Sequence, residues 1–496
     1  MVDWLRNRYI DTLQAPSLMA FSFFLLLGVA FIASSALILL QRSRRSILLE
    51  RLRVKGRRVS GSKTPPRSLS PGKKALSTIE VDYSDTFPPP RRFAVTEILK
   101  GGGSEELESQ WTKNMLPMEA SYMDAGESRF LPCGLSVKDI KALGDFPDYA
   151  TLSGVPLPSP YPEFDIKKAL PRPYRPLRWA YHQTMSITKM QTDWWIELEN
   201  TYEERIKQRQ TLFEKHGEAV LQALPGSELA CKELMEMVLQ FLCARYPQYF
   251  WLSNNNKTFR NSILNTDTDL TTTQPLHVLL NNVPEDFAIM LRNDKTGLYV
   301  FRAGIICSAL GWNVGSKIGL NLSGIHGPIP DYKEKMQYFA KKPTDKPIQR
   351  GSWGLEVDQP LYMPPGDPHE AHRARQDPAL DLSRCHLRVD WQTLRRLPLS
   401  GAVVFNFKAL FTPVEEFRDE PYVPGLMLKV LNEGKKNLME YKNTWHVEHV
   451  VKPALARWHE EQMESGAVEK EWEPRTLEES PWFPGWEEKW HRQQGF

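Results

Sequence analysis

The sequence lacks the short signatures that mark many enzyme classes. It has no G-x-G-x-x-G or G-x-x-x-x-G-K-[ST] loop to cradle phosphates, no G-x-S-x-G nucleophile turn and no H-E-x-x-H zinc pair. Five cysteines (Cys133, Cys231, Cys243, Cys307, Cys385) are dispersed without C-x-x-C spacing. That pattern argues against a disulfide framework, structural zinc and an iron–sulfur cluster, and suits a reducing cytosol. Charge of one sign is also scarce overall. The formal net charge is +3, with the basic excess gathered at 42–58, so no nucleic-acid surface is expected. Internal repeats are missing too, and between Asp11 and Arg42 there is no charged residue at all.

Within that uncharged stretch, SLMAFSFFLLLGVAFIASSALILL at 17–40 offers 24 mostly apolar residues. As a helix they would extend roughly 36 Å, enough to cross a hydrocarbon core of about 30 Å. The alternatives are a buried core helix and a cleavable signal peptide. The run is long for either, and the stronger basic cluster follows it instead of preceding it. The expectation is therefore one transmembrane helix at 17–40. Arg42, Arg44, Arg45, Arg51, Arg53, Lys55, Arg57 and Arg58 follow it, against Arg6 and Arg8 before it. Retention of basic flanks in the cytoplasm predicts a single-pass membrane protein with a cytosolic C-terminal domain.

Residues 41–125 read as a basic, Pro/Ser/Gly-rich flexible linker, with SGSKTPPRSLSPGKK, FPPPRR and KGGGS offering few apolar clusters. A globular domain is expected over 126–445 and a Trp-rich charged tail over 446–496, after the short segment 1–16 and the anchor. Trp194, Leu198, Tyr202 and Ile206 recur at helical spacing, predicting a helix from Asp193 to Leu224. Ser227 opens a second helix that Pro247 bounds. Strands are expected from Gly297 to Cys307 and from Gly401 to Leu410, and a further helix from Gly425 to Lys442. Helices flanking a central antiparallel sheet make an α+β domain.

Histidine is the residue type with most chemical promise. His369 and His372, like His446 and His449, are three apart, and either pair supplies only two metal ligands. His326 stands differently, between small and apolar residues and a Gly327-Pro328-Ile329-Pro330 turn that stiffens the backbone. Taken alone it reads more readily as a structural histidine.

A set of short motifs then falls in a distinctive order. They are Pro173-Tyr174-Arg175-Pro176, Asp193-Trp194, Arg245-Tyr246-Pro247, Asn265-Thr266, Pro284-Glu285-Asp286, Trp312, Lys317-Ile318-Gly319, Ile325-His326-Gly327-Pro328-Ile329-Pro330 and Gln392-Thr393-Leu394-Arg395-Arg396-Leu397-Pro398. With them, the chain from about Phe146 to Lys442 resembles the haem-dependent oxidative N-demethylase family, in particular its fungal members.

The resemblance implies a PAS-like haem-binding domain with flanking helices, so the expected fold is α+β, that domain being preceded by the one transmembrane helix read from hydropathy. It implies haem b, O₂-dependent removal of a methyl group from an amine, and electrons from a separate flavin/iron–sulfur or membrane-bound reductase. His326 is the metal ligand it favours, with His277 and His182 as rivals; a Cys307 thiolate is a weaker candidate inside an apolar strand. Lys317, Arg395 and Arg396 are the cations available to haem propionates. Asp390 is the catalytic candidate for meeting a cationic amine. Family members often carry a glutamate-arginine pair before the Gln-Thr-Leu, where this chain has Asp390-Trp391. That departure leaves the substrate open between a small amine and a larger lipophilic one. An endoplasmic-reticulum surface would suit such a substrate and a membrane-bound reductase. A haem-binding sensor and a catalytically silent scaffold are the other functions compatible with the same fold.

Overall fold

The computed structural model describes residues 114–131, 133–179, 187–293, 298–327 and 343–495. Their organising element is a seven-stranded antiparallel sheet. Its strands are β1 (Thr188–Lys189), β2 (Leu221–Ala223), β6 (Asp286–Arg292), β7 (Tyr299–Ile305), β8 (Ile348–Val357), β9 (Cys385–Arg396) and β10 (Val403–Pro413), in the spatial order β1-β8-β9-β10-β6-β7-β2. A smaller sheet of β3 (Phe250–Ser253), β4 (Thr258–Asn261) and β5 (Thr266–Asp269) stands apart from it.

Strand alternation divides the large sheet into two chemically different faces. Register aligns Ile348, Leu394, Phe405 and Ala288 in one row across β8, β9, β10 and β6. That row belongs to an apolar cluster with Met290, Tyr299 and Phe301. Two short helices, α4 (Val314–Lys317) and α5 (Leu322–His326), contribute Val314, Leu322, Ile318 and Ile325 to the same cluster. Asparagine caps explain why so short a segment is helical. Asn313 and Ser316 form a reciprocal capping box on α4, and the Asn321 side chain accepts from the Gly324 amide at the start of α5. Gly319, at φ +82°, makes the turn between them without a Cβ penalty.

The opposite face is covered by longer helices. α1 (Tyr202–His216), α2 (Glu228–Arg245) and α3 (Pro275–Asn282) pack where Phe287, Ile289, Ala303 and Val404 point. At its other end, Leu387, Val389, Trp391 and Leu410 receive α6 (Val423–Glu433) and α7 (Trp445–Glu464). The C-terminal tail folds back onto the domain. Phe483 and Trp490 are buried, and within α8 (Trp486–Gln493) the Trp490 indole donates to the Leu170 carbonyl at 2.8 Å.

Several expectations are corrected. The anchor at 17–40 lies outside the described residues, and among the described residues no helix is long and apolar enough to cross a membrane. The fold class that included a transmembrane helix, and the single-pass membrane localisation built on it, are withdrawn. The fold stands as mixed helix and antiparallel sheet, in which α1 and α7 each bury one side and keep charges on the other. The helix expected from Asp193 begins only at Tyr202 and ends at His216. Asp193 instead accepts from the Ser159 amide at 2.8 Å, and Glu197 and Glu199 are buried in polar contacts, so tertiary bonds override the local pattern. The expected helix 425–442 is broken after Glu433, where a side chain on Gly434 would meet the Val430 carbonyl at 2.5 Å. Residues 114–125, within the stretch read as linker, bury Leu116, Met118 and Tyr122.

One glycine records how tightly the 173–176 segment seats on the sheet. A Cβ on Gly351 would lie 2.8 Å from the Pro176 Cβ and 3.1 Å from the Trp391 ring. Gly351→Ala should destabilise the domain by about 1–3 kcal/mol, as overpacking does, read from urea unfolding. An unchanged midpoint would show that the segment moves aside without cost.

Candidate functional site

His326 ends α5, half-buried against the apolar sheet face. Its Nδ1 lies 3.1 Å from the Leu322 carbonyl oxygen. A carbonyl only accepts, so Nδ1 carries the proton and Nε2 is the lone-pair nitrogen of the neutral ring. The ring is held neutral: burial, then the neighbouring Arg350 charge, lower its pKa to about 4, with Lys317 adding to the effect and the Leu322 bond opposing it. The fold thus presents an orientated imidazole in its ligating protonation state, backed by the kind of carbonyl partner that metal-bound histidines use.

Two cations accompany it. Lys317 donates to the Ile325 carbonyl at 3.4 Å, and its ammonium sits 4.3 Å from the Trp312 ring centroid. Burial lowers its pKa. Arg350, on β8, donates through Nε to Gln392 at 2.8 Å and lies over the Phe405 ring at 5.6 Å. Sequence reasoning missed Arg350. Alternation within β8 placed it on the face of Ile348, but nothing in the chain said that this face would meet His326.

The remaining nominated residues divide by strand parity. Asp390 and Arg396 are on the Leu394 side of β9. Arg396 is committed to the Tyr299 hydroxyl at 2.6 Å and the Gly401 carbonyl at 2.7 Å. The half-exposed Asp390 carboxylate takes two bonds from Arg388, at 3.0 and 2.8 Å. Arg395 points the other way, its guanidinium 4.0 Å from the Trp195 ring and 6 % of the residue exposed. It does not join His326.

The other histidine candidates are held by structural contacts. His277 packs edge-on against Phe213 at 5.0 Å. His369, His446 and His449 bond the carbonyls of Val357, Asn443 and Asp377. Among the described residues no group of three or more His, Cys, Asp or Glu is placed to hold a metal. His182 lies outside the described residues. Cys307 is buried, and burial pushes its thiol up to about 12, which disfavours a thiolate.

Behind the sheet lies a buried polar network that sequence reading did not anticipate. Glu285 accepts from the Glu197 amide at 3.0 Å and the Asn406 side chain at 2.6 Å. Lys408 reaches the Glu197 carbonyl at 2.5 Å and Glu199 at 3.1 Å. Asp286 pairs with Arg209 and accepts from the Cys307 and Ser308 amides at 2.9 and 2.8 Å, so the Pro284-Glu285-Asp286 motif pins the turn leaving β7. Burial raises Glu285 to about 7, against the opposing pull of Lys408. The folded protein therefore keeps a proton that the unfolded chain releases above its ordinary value of 4.5. The associated stability is fully present below that value and is lost as pH rises through about 7. In Glu285→Gln the decline in unfolding free energy across this window should flatten. Absolute stability should also drop, because one amide oxygen cannot serve both donors as two carboxylate oxygens do. A variant with the wild-type pH slope would place the titration elsewhere.

The family model described as "Haem-dependent oxidative N-demethylase, alpha subunit-like" matches residues 186–452, more than half of the chain. The matched span includes His326, Lys317, Arg350 and the whole β6–β10 sheet.

Proposed function

The chain belongs to the haem-dependent oxidative N-demethylase, alpha subunit-like family, and from that premise we propose that it binds haem on the His326 face of the sheet and oxidises an N-methylated amine. The observation that carries the reading is the His326 imidazole, neutral and orientated by its Nδ1 contact with Leu322. The donor set fits haem. A lone-pair nitrogen suits the iron, Lys317 and Arg350 suit the propionates, and Ile325, Leu322 and Phe405 provide an apolar wall. Arg395, on the other face, is removed from the propionate set, and Arg396 is already held by Tyr299 and Gly401.

Haem, when bound, supplies O₂ activation and oxidation of the methyl carbon. The chain supplies ligation and position. His326 holds its proton on Nδ1, away from the ligating nitrogen. The aromatic and aliphatic residues around it exclude water. Asp390, on the same sheet face and already neutralised in part by Arg388, offers a carboxylate to the substrate ammonium. Each turnover consumes one O₂, two electrons and two protons, and releases the demethylated amine, formaldehyde and water. A separate reductase is the proposed electron source. The absence of a dinucleotide fingerprint and of clustered cysteines from the sequence supports that division.

The test is turnover. Haem-loaded protein with a tertiary amine, O₂ and a chemical or enzymatic reductant should release formaldehyde in step with O₂ uptake. Reversible gas binding without formaldehyde, across small and lipophilic amines, would favour a sensor. Within the enzyme reading, Asp390→Asn should raise KM for a cationic amine about tenfold, the loss of one charge-assisted contact, while the haem spectrum stays unchanged. Equal kinetics would remove Asp390 from the substrate site.

A further inference from the structure

A small cavity lies between α1, the turn leaving β7 and the middle of β10, with Glu199, Gln208, Arg209, Ser308, Lys408 and Ala409 in its wall. We propose that it is the site of one structural water, which bridges Glu199, Gln208 and Arg209. Its volume of about 20 Å³ suits that occupant. One water needs about 10–15 Å³, and an organic ligand needs far more.

The polar lining identifies the occupant more sharply than the volume does. One oxygen of Glu199 accepts from the Thr201 hydroxyl at 2.7 Å. The other, Oε2, lies 3.1 Å from the Lys408 ammonium but accepts no hydrogen bond from a described residue. Gln208 donates through Nε2 to the Cys307 carbonyl at 3.2 Å, and its Oε1 is buried without a donor among the described residues. Arg209 gives Nη1 to Asp286, while its Nε and Nη2 are buried without an acceptor among them. Arg245 and Arg302 also bury unpartnered nitrogens, so a guanidinium donor alone points to no ligand. This cavity differs because unpartnered acceptors and unpartnered donors belong to residues that line one space. Buried polar atoms in native proteins are satisfied by protein or by ordered water, and leaving them unpaired is costly.

The mixture of donors and acceptors then selects water over an ion. A halide only accepts hydrogen bonds, and it would face the Glu199 carboxylate and the Gln208 oxygen. A cation would face the Arg209 guanidinium. Water can donate to both oxygens and accept from Arg209, which gives it the roughly three bonds a buried water usually makes. The position gives it a structural task. Arg209 already reaches the turn leaving β7 through Asp286, which holds the Cys307 and Ser308 amides. The water extends that joint to Glu199, on the segment that precedes α1. The site does not depend on the haem reading, because every partner named is a side chain of this chain.

Diffraction from crystals of the purified full-length chain, soaked in sodium bromide, tests both occupancy and identity. A single peak without anomalous signal is expected in the cavity. It should lie within about 3.2 Å of Glu199 Oε2 or Gln208 Oε1 and equally close to Arg209 Nε or Nη2. Gln208→Leu should lose the peak, because the variant removes one acceptor and sets a methyl group in its place. Gln208 is half-buried on α1, so the substitution leaves the core intact. Four results would each overturn the proposal: no peak in the wild-type chain, an anomalous bromide peak, a peak touching acceptors alone or donors alone, or a water that persists in Gln208→Leu.

Discussion

His326→Ala should eliminate the Soret band of haem-supplemented protein, or shift it strongly, with haem affinity falling by well over tenfold. The reasoning is additive over two roles. The imidazole is the proposed iron ligand, and disturbing merely the partner that orientates such a ligand typically costs 10–100-fold; removing the ligand itself costs at least as much. The fold should survive the change. His326 lies at the end of a five-residue helix and is half-exposed, so truncation leaves no sealed cavity in the core. Exogenous imidazole should restore part of the band in the alanine variant, a response that a general packing defect would not give. Far-UV circular dichroism of the apo variant checks the fold separately. An unchanged spectrum in folded His326→Ala would reject the ligand assignment while leaving family membership untouched. A wild-type chain that folds and takes up no haem would remove the haem reading altogether.

Glu420→Ala should cost roughly 3–5 kcal/mol of stability, the range for breaking a buried ion pair. The Glu420 side chain is fully buried and takes two bonds from Arg175, at 2.7 and 2.6 Å, and one from Lys489 at 3.0 Å. Removing it leaves two buried cations facing each other across the space it occupied, although Lys489 keeps Asp419 at 2.6 Å. The loss should therefore exceed that from Arg175→Met, which strands one carboxylate still paired with Lys489. Urea unfolding of both variants and of the double substitution gives the coupling directly. A loss below about 1 kcal/mol for Glu420→Ala, the range of exposed pairs, would mean that water reaches this cluster. The pair also gives the Pro173-Tyr174-Arg175-Pro176 motif a physical reason. It ties the entry segment to the turn before α6 and to the C-terminal helix, while Tyr174 stacks on Trp391 with centroids 3.8 Å apart.

Much of the architecture was legible where local chemistry and burial agree. The second helix starts beside Ser227 and stops before Pro247, because its apolar residues recur on all sides and Pro247 cannot continue it. The strand of Val403–Pro413 shows in the sequence as a β-branched and aromatic run. Reading failed where a distant partner outbid a local preference. Asp193, Glu197 and Glu199 sit in a pattern that reads as helix, yet each is drawn into bonds with segments far along the chain. The uncharged stretch at 17–40 shows the limit in another way. Its hydropathy is a property of composition, and no element among the described residues supports the membrane assignment drawn from it.

The sequence by itself determined the family, through an ordered set of short motifs, and it singled out His326 from its stiff, small-residue surroundings. The sequence reading groups Arg395 with Arg396, whereas within the strand Cys385–Arg396 they point to opposite faces. Tertiary structure alone decided which of the two shares a face with His326. That depends on how α5 lands on the sheet, which no local pattern encodes. The same holds for Arg350, brought to the imidazole by β8, and for Arg175 and Glu420, paired across a sequence separation of 245 residues. Caps, turns and alternation are settled by a few neighbouring residues. Burial of charge and the meeting of faces follow from packing, and packing exists only once the chain has folded.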